Sequence, residues 1–197
     1  MRWVFIGSSP SVPRQLADIL PTLRPCKTIT TNAAIKLLPR PDVYFLSDHV
    51  ACNRYSKLAE IAKKNGTHTV TLHRFRQALE SRNVHWFDEF VLNGVDPPLP
   101  NRWSAFNQSG PWCMEYACRN GATELHLLGC EGYRNDVSYF DQEVRDKEIK
   151  IATEETNVIL IKRLTMVVEC FPNVPFYVYG DLNYSLNFPN WHEKPAA

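Results

Sequence analysis

The chain has 197 residues, with 22 Lys and Arg against 21 Asp and Glu and a formal charge of +1. That length holds one good-sized domain with a substantial core. The near balance of charge excludes a general polyanion binder, so no nucleic acid is expected as a partner. No apolar run reaches the roughly 18 residues of a membrane span. The opening MRWVFIGSSP is too short in apolar length for a signal peptide and reads as a first strand. Cys26, Cys52, Cys113, Cys118, Cys130 and Cys170 show no C-x-x-C and no Cys/His ladder. They read as reduced core residues of a cytosolic protein, and zinc is not expected.

Arg2 to Ile6 forms the first strand and runs into Gly7-Ser8-Ser9-Pro10-Ser11. A glycine and three hydroxyls at that place make either a phosphate or ribose cradle or a plain turn with Ser11 as helix cap. The turn matches neither G-x-G-x-x-G nor G-x-x-x-x-G-K-[ST]. A short helix, Pro13 to Leu20, stops at Pro21. Thr28 to Thr31 is a β-branched strand ending at Asn32. Pro39 and Pro41 close a brief helix, and Val43 to Leu46 is a strand ending at Ser47-Asp48. Each polar strand end, taken singly, is a helix cap. Three of them on neighbouring parallel strands line one edge of a sheet, which argues for a binding edge.

Tyr55 to Asn65 reads as an amphipathic helix with Leu58, Ile61 and Ala62 inward, ended by Gly66. Thr69 to Leu72 is a strand. It leads to His73-Arg74-Phe75-Arg76, whose arginines are either solvated surface charge or phosphate contacts. His85 to Leu92 is a strand or wall segment, and Asn93 to Trp103 a proline-rich loop.

Asn107 to Tyr133 reads as turn, helix, tight turn, buried strand and loop. Ser109 caps the helix, with Gly110 and Pro111 in its first turn. Met114, Ala117, Cys118 and Gly121 recur at the spacing of one buried face. Leu125 to Leu128 suits a parallel strand covered on both faces. Gly129 ends it, which sets Glu131 and Tyr133 just past its carboxyl end, where open α/β sheets bind ligands.

Arg134 to Ile151 is charged and without a clean period, either a surface helix or a lid. The last helix, about Glu155 to Phe171, buries Val158, Ile161, Leu164, Val168 and Phe171. Phe176 to Tyr179 is the last strand, followed by Gly180-Asp181-Leu182-Asn183. The pattern gives an α/β fold: a single doubly wound, mostly parallel, Rossmann-like sheet with helices on both faces. It occupies residues 1–183, with 134–152 as candidate lid. Residues 184–197 form a tail that docks by Phe188 and Trp191.

Other chemistry is weaker. His49 and His73 lie near the proposed edge, but the G-x-S-x-G elbow of a hydrolase is missing. His126, inside a strand, reads as a hydrogen-bonded core or edge histidine. No metal is assigned, although Asp48, Glu131 and Asp181 at strand ends can together hold Mg²⁺ against a diphosphate. Of the tryptophans, Trp103 flanks the proposed pocket together with Tyr133.

Three pieces in order, GSSPS, TTNAAIKLLPRPDVYFLSD and NQSGPWCMEYACRNGATELHLLGCEGY, resemble a known superfamily. It is the Rossmann-like domain shared by bacterial CMP-sialic-acid-dependent sialyltransferases, motility-associated flagellin glycosyltransferases and hydroxymethylpterin-pyrophosphokinase-like proteins. The resemblance covers Arg2–Asp48 and Asn107–Tyr133, and more weakly the last helix and strand. It implies a CMP-sugar or related nucleotide held by Gly7, Ser8, Ser9, Ser11, Asn32, Asp48, Ser109 and Gly110, with Glu131 and Tyr133 near the sugar or phosphate. It further implies a phosphate leaving group that meets Ser9, Ser109 and nearby amides. Ser8-Ser9 stands where the family has its second glycine. The histidine that sialyltransferases take from a lid before the last long helix is missing too, since no histidine lies between His126 and His192. Thr153-Glu154-Glu155-Thr156 occupies that region, so Glu155 or Glu154 becomes the candidate base toward an unknown acceptor. Carboxylates there are equally expected from the helix dipole.

The expected activity is therefore glycosyl transfer from a CMP-linked sugar. The alternatives are a non-catalytic nucleotide-binding, sequestering or partner-docking module, and a pyrophosphokinase-like transfer with Mg²⁺ at Asp48 and Glu131. Compact members of this kind are a familiar type of viral or mobile-element protein. The expected location is the cytoplasm of a bacterium or of an infected host cell.

Overall fold

The structure, a computed structural model, describes residues 1–47, 49–91, 108–132 and 153–195; of residues 49, 50 and 153–155 it describes the backbone alone. Eight strands form one sheet: β1 (Arg2–Ile6), β2 (Lys27–Thr31), β3 (Val43–Leu46), β4 (His68–Leu72), β5 (Glu89–Val91), β6 (Glu124–Leu128), β7 (Phe176–Tyr179) and β8 (Trp191–Lys194). Their order is β5-β4-β3-β2-β1-β6-β7-β8, and every neighbouring pair is parallel. The chain steps outward from β1 to one edge, returns across β1, and steps outward again from β6. The strand order reverses between β1 and β6, the place where an open α/β sheet opens a ligand crevice.

Alternation along the strands splits the core into two layers. Trp3, Phe5, Leu125, Leu127, Phe176 and Val178 pack with α6 (Ser109–Arg119) and α7 (Thr153–Cys170). On the other face, Val4, Ile6 and Leu128 pack against α1 (Val12–Asp18) and α2 (Leu20–Leu23). Tyr44 and Leu46 meet Ala51 and Cys52 of α3 (His49–Arg54), Ala59 and Ala62 of α4 (Ser56–Lys64) and Leu79 of α5 (Arg76–Glu80). The sheet is thus doubly wound, as the sequence indicates. No described helix is long and apolar enough to cross a membrane.

The amino edge is held by a latch used twice. Thr28, second in β2, gives its N–H and its hydroxyl to Asp42 Oδ2 (2.7 and 2.8 Å) and takes the Asp42 N–H at 3.0 Å. Thr69, second in β4, makes the same three contacts with Asp88 (2.9, 2.8 and 3.2 Å), its hydroxyl proton shared with Trp86 O at 2.5 Å. In each pair the aspartate enters the next strand, so a side chain continues the ladder where the backbone pairing begins.

Four details differ from the periodicity. Pro21 sits in the first turn of α2 instead of ending a helix, because a first-turn residue needs no N–H bond. Ile61 is 54% exposed and Val158 is 61% exposed. In α4 the buried positions are Ala59 and Ala62, and in α7 they are Leu164, Val167 and Val168 with the arginine Arg163. In α6 every residue from Pro111 to Cys118 is buried, Glu115 included, so the helix has no solvent face there. The tail does more than dock: Phe188 packs on the core, Trp191 is 6% exposed, and residues 191–194 add the eighth strand. Asn190 gives its amide protons to the carbonyls of Val168, Phe171 and Val174 at 3.1–3.2 Å, which fastens this strand to the end of α7.

Candidate functional site

At the reversal point the two strand ends touch. Gly7 N–H donates to Leu128 O at 2.8 Å. A Cβ on Gly7 would lie 2.5 Å from Gly129 O, and one on Gly129, at φ +75°, 2.3 Å from Val12 Cγ2. Both glycines serve this backbone approach. No ligand atom fits between them, and Gly7 is used up in holding β1 to β6.

The turn after Gly7 is tied to the β6 end by side chains. Gly129 N–H donates to Gln15 Oε1 at 2.9 Å, which orients that amide. Gln15 Nε2 then donates to Glu131 Oε1 (2.8 Å) and to Tyr179 O (3.0 Å). The Ser11 hydroxyl donates to the same Oε1, and Ser9 Oγ lies 2.8 Å from Ser11 Oγ. Ser11 stands at the cap position of α1 but makes no cap bond: its backbone is already helical (φ −74°, ψ −19°) and its hydroxyl is turned to Glu131. Glu131 is 6% exposed, and its Oε2 is buried with no hydrogen-bond partner among the described residues. The carboxylate is therefore held inside the β6–α1 junction. Ser8 is half-buried in the same turn.

A second group forms at the ends of β2 and β3 under the head of α6. Asn32 is left-handed (φ +49°), and its carbonyl takes the Tyr44 hydroxyl at 2.9 Å. Its Nδ2 reaches Ser109 Oγ at 3.4 Å, and Ser109 Oγ lies 2.8 Å from Ser47 Oγ. Ser109 is the first residue of α6; the cap position belongs to Gln108. Gln108 Nε2 donates to Thr156 O at 3.2 Å, which joins the head of α6 to the first turn of α7. Gly110 sits against the Phe5 ring, where an added Cβ would be 3.8 Å away, an ordinary contact.

Asn32 and Ser109 thus come together, with Gly110 next in the chain, and Gln108 ties this helix head to Thr156 in the first turn of α7, the turn that holds the backbone of Glu154 and Glu155. Glu131 is engaged elsewhere, by Ser11 and Gln15. Asp48, Trp103, Tyr133 and the candidate lid 134–152, like the side chains of Glu154 and Glu155, lie outside the described residues. Ser47, Tyr44, Gln108 and Gln15 are additions. Ser47 carried a signal, since it shares the polar strand end with Asp48. Gln15, a lone polar residue in a short helix, carried none.

Burial pushes the thiols of Cys113, Cys118 and Cys130 upward, Cys118 to about 12, so none is a ready nucleophile at neutral pH. His126 is buried in mid-strand, with Nδ1 2.9 Å from the Tyr179 hydroxyl and its ring stacked on Tyr177. Burial holds its pKa below the usual value, against the raising effect of Glu124. Arg76 pairs with Glu80 at 2.8 Å, and Arg74 lies over the Phe75 ring. Among the described residues no three His, Cys, Asp or Glu side chains gather to hold a metal ion. Comparisons with protein-family models, with curated proteins and with solved structures find no match to this chain.

Proposed function

We propose that the protein binds a nucleotide or nucleotide sugar, CMP-linked by resemblance, at the carboxyl edge of β1–β3. What supports this is the Asn32–Ser109–Ser47 group. A strand-end asparagine held in a left-handed conformation reaches the first residue of an eleven-residue helix. A non-glycine residue at positive φ costs about 1–2 kcal/mol and persists where the surroundings fix it, commonly at binding sites. The phosphate would face the amides of Ser109 and Gly110 at the head of α6, where the helix dipole favours an anion. Asn32 would meet the base or ribose. In a transferase, Glu155 or Glu154, at the start of α7, would take the proton of the acceptor hydroxyl. The test is a thermal-shift and calorimetric panel of CMP, UMP, CMP-sugars and UDP-sugars, with and without Mg²⁺. A ligand at about 100 times its Kd adds about 2.7 kcal/mol, or roughly 5–11 °C for a chain of this size. No shift with any cytidine or uridine compound would refute the proposal.

A second reading is a non-catalytic nucleotide-binding module. It is favoured by Glu131, whose Oε1 is occupied by Ser11 and Gln15 and is thus withdrawn from chemistry. The two separate by turnover: Glu155→Gln and Glu154→Gln abolish product formation but spare CMP binding in a transferase. Wild-type protein that binds and never turns over supports the module. A Mg²⁺-dependent diphosphate transfer would make binding sensitive to chelator.

A further inference from the structure

The hydrogen bonds behind the β1 turn run in one direction, and that direction decides what the turn can accept. A backbone amide only donates, so Gly129 N–H fixes Oε1 of Gln15 on its side and leaves the NH₂ group facing Glu131 and Tyr179 O. A carboxylate only accepts, so Glu131 Oε1 takes one proton from Gln15 and one from Ser11. A hydroxyl has a single proton. With that of Ser11 committed to Glu131, the 2.8 Å contact between Ser9 and Ser11 has Ser9 as donor. The Ser9 proton is then committed as well, and what both hydroxyls still offer is lone pairs. Phosphate oxygens are acceptors, and lone pairs set against them repel. The glycine and three serines that by composition look like a phosphate cradle thus lack, at Ser9 and Ser11, the protons a phosphate needs.

Resting on the nucleotide-binding reading above, we infer that the Ser9 hydroxyl accepts a hydrogen bond from a sugar hydroxyl of the bound nucleotide, and that the phosphate lies elsewhere. Ser9 is a specificity-determining residue for a hydroxylated sugar. The hydroxyl belongs either to the ribose or to the transferred sugar, and both present the same chemistry. Ser9, 6% exposed, is the last hydroxyl of this series, so its replacement leaves the Ser11–Glu131–Gln15 bonds in place.

The experiment is calorimetry on the full chain, wild type against Ser9→Ala, with CMP, 2′-deoxy-CMP, 3′-deoxy-CMP and CMP-N-acetylneuraminate. A neutral hydrogen bond of about 0.5–1.5 kcal/mol predicts that Ser9→Ala weakens CMP roughly two- to tenfold. One deoxy analogue, already lacking the donor, is then indifferent to the substitution, which identifies the ribose hydroxyl. If the CMP-linked sugar is weakened and CMP is not, the hydroxyl is on the transferred sugar. Ser9→Cys, of similar shape with a weak acceptor, gives the same pattern and separates the effect from packing. Equal weakening of CMP and both deoxy analogues overturns the inference, as does no effect on any ligand. Wild-type protein that binds none of the four refutes the nucleotide reading itself, and this assignment falls with it.

Discussion

Replacing Gly7 by alanine tests whether the β1–β6 contact shapes the site edge. The added Cβ would sit 2.5 Å from Gly129 O and 3.1 Å from Gly129 C, atoms of the backbone that no side-chain rotation can move. The strand ends must separate, which strains packing by about 1–3 kcal/mol and weakens the Gly7–Leu128 bond by about 1 kcal/mol. The sum is about 2–4 kcal/mol. Gly66→Ala is the control: φ is +85° there, and nothing lies within 4 Å of the new methyl. That variant carries only the left-handed penalty of about 1–2 kcal/mol, reduced by its stiffer unfolded chain. The two melting points should differ by roughly 4–8 °C, from about 2 kcal/mol at 2–4 °C each. Thermal unfolding by circular dichroism reads this directly. Equal melting points would mean that the strand ends have room to part, and that Gly7 is free for a ligand after all.

Two further perturbations probe the frame. Asn190→Ala removes the donor shared by three carbonyls at the end of α7 and should cost about 1–3 kcal/mol in urea denaturation; Asn190→Asp, which sets a carboxylate against those carbonyls, should cost more, and the opposite ranking would refute the cap. At Asp88 burial raises the carboxyl's pKa, but the bonds from Lys63 and Thr69 outweigh it and hold the group below its ordinary value. A lowered folded value gives stability that is fully present above the unfolded carboxylate range, about pH 3.9, and is lost as pH falls through the folded value. The melting-point gap between wild type and Asp88→Asn should therefore close on acidification, and a gap that widens would contradict the latch.

How much was legible in the sequence follows from what each signal depends on. Apolar and β-branched runs mark β1 to β4, β6 and β7, because a strand buried on both faces must be apolar nearly throughout. β8, with the sequence WHEK, buries Trp191 alone and so has no such run. Ile61 and Val158 satisfy the helical period yet are exposed, and in α4 the small residues Ala59 and Ala62 make the buried face instead. At the site, a strand end pointed to Asn32 and a helix-cap pattern to Ser109, and the structure sets Asn32 Nδ2 3.4 Å from Ser109 Oγ. The role of Ser109 was hidden, since it is the first residue of α6, not its cap, and its hydroxyl pairs with that of Ser47 just past β3. Glu131 was placed at the right strand end. What holds it is Gln15, 116 residues earlier, and sequence spacing carries no trace of such a pair.

The strand order also bears on how the protein is made. Of the eight strands, the one near the centre of the sheet is made before the other seven, and one of its two partners is β6, about 120 residues later. Until Glu124–Leu128 emerges, β1 to β5 form a half-sheet whose outer edge is Trp3-Val4-Phe5-Ile6, an unpaired and apolar template for association with other chains. Pairing across that separation is entropically slow. Nascent chains cut short before residue 128 should therefore aggregate or recruit a chaperone, whereas chains that extend past β6 cover the exposed edge with their own backbone.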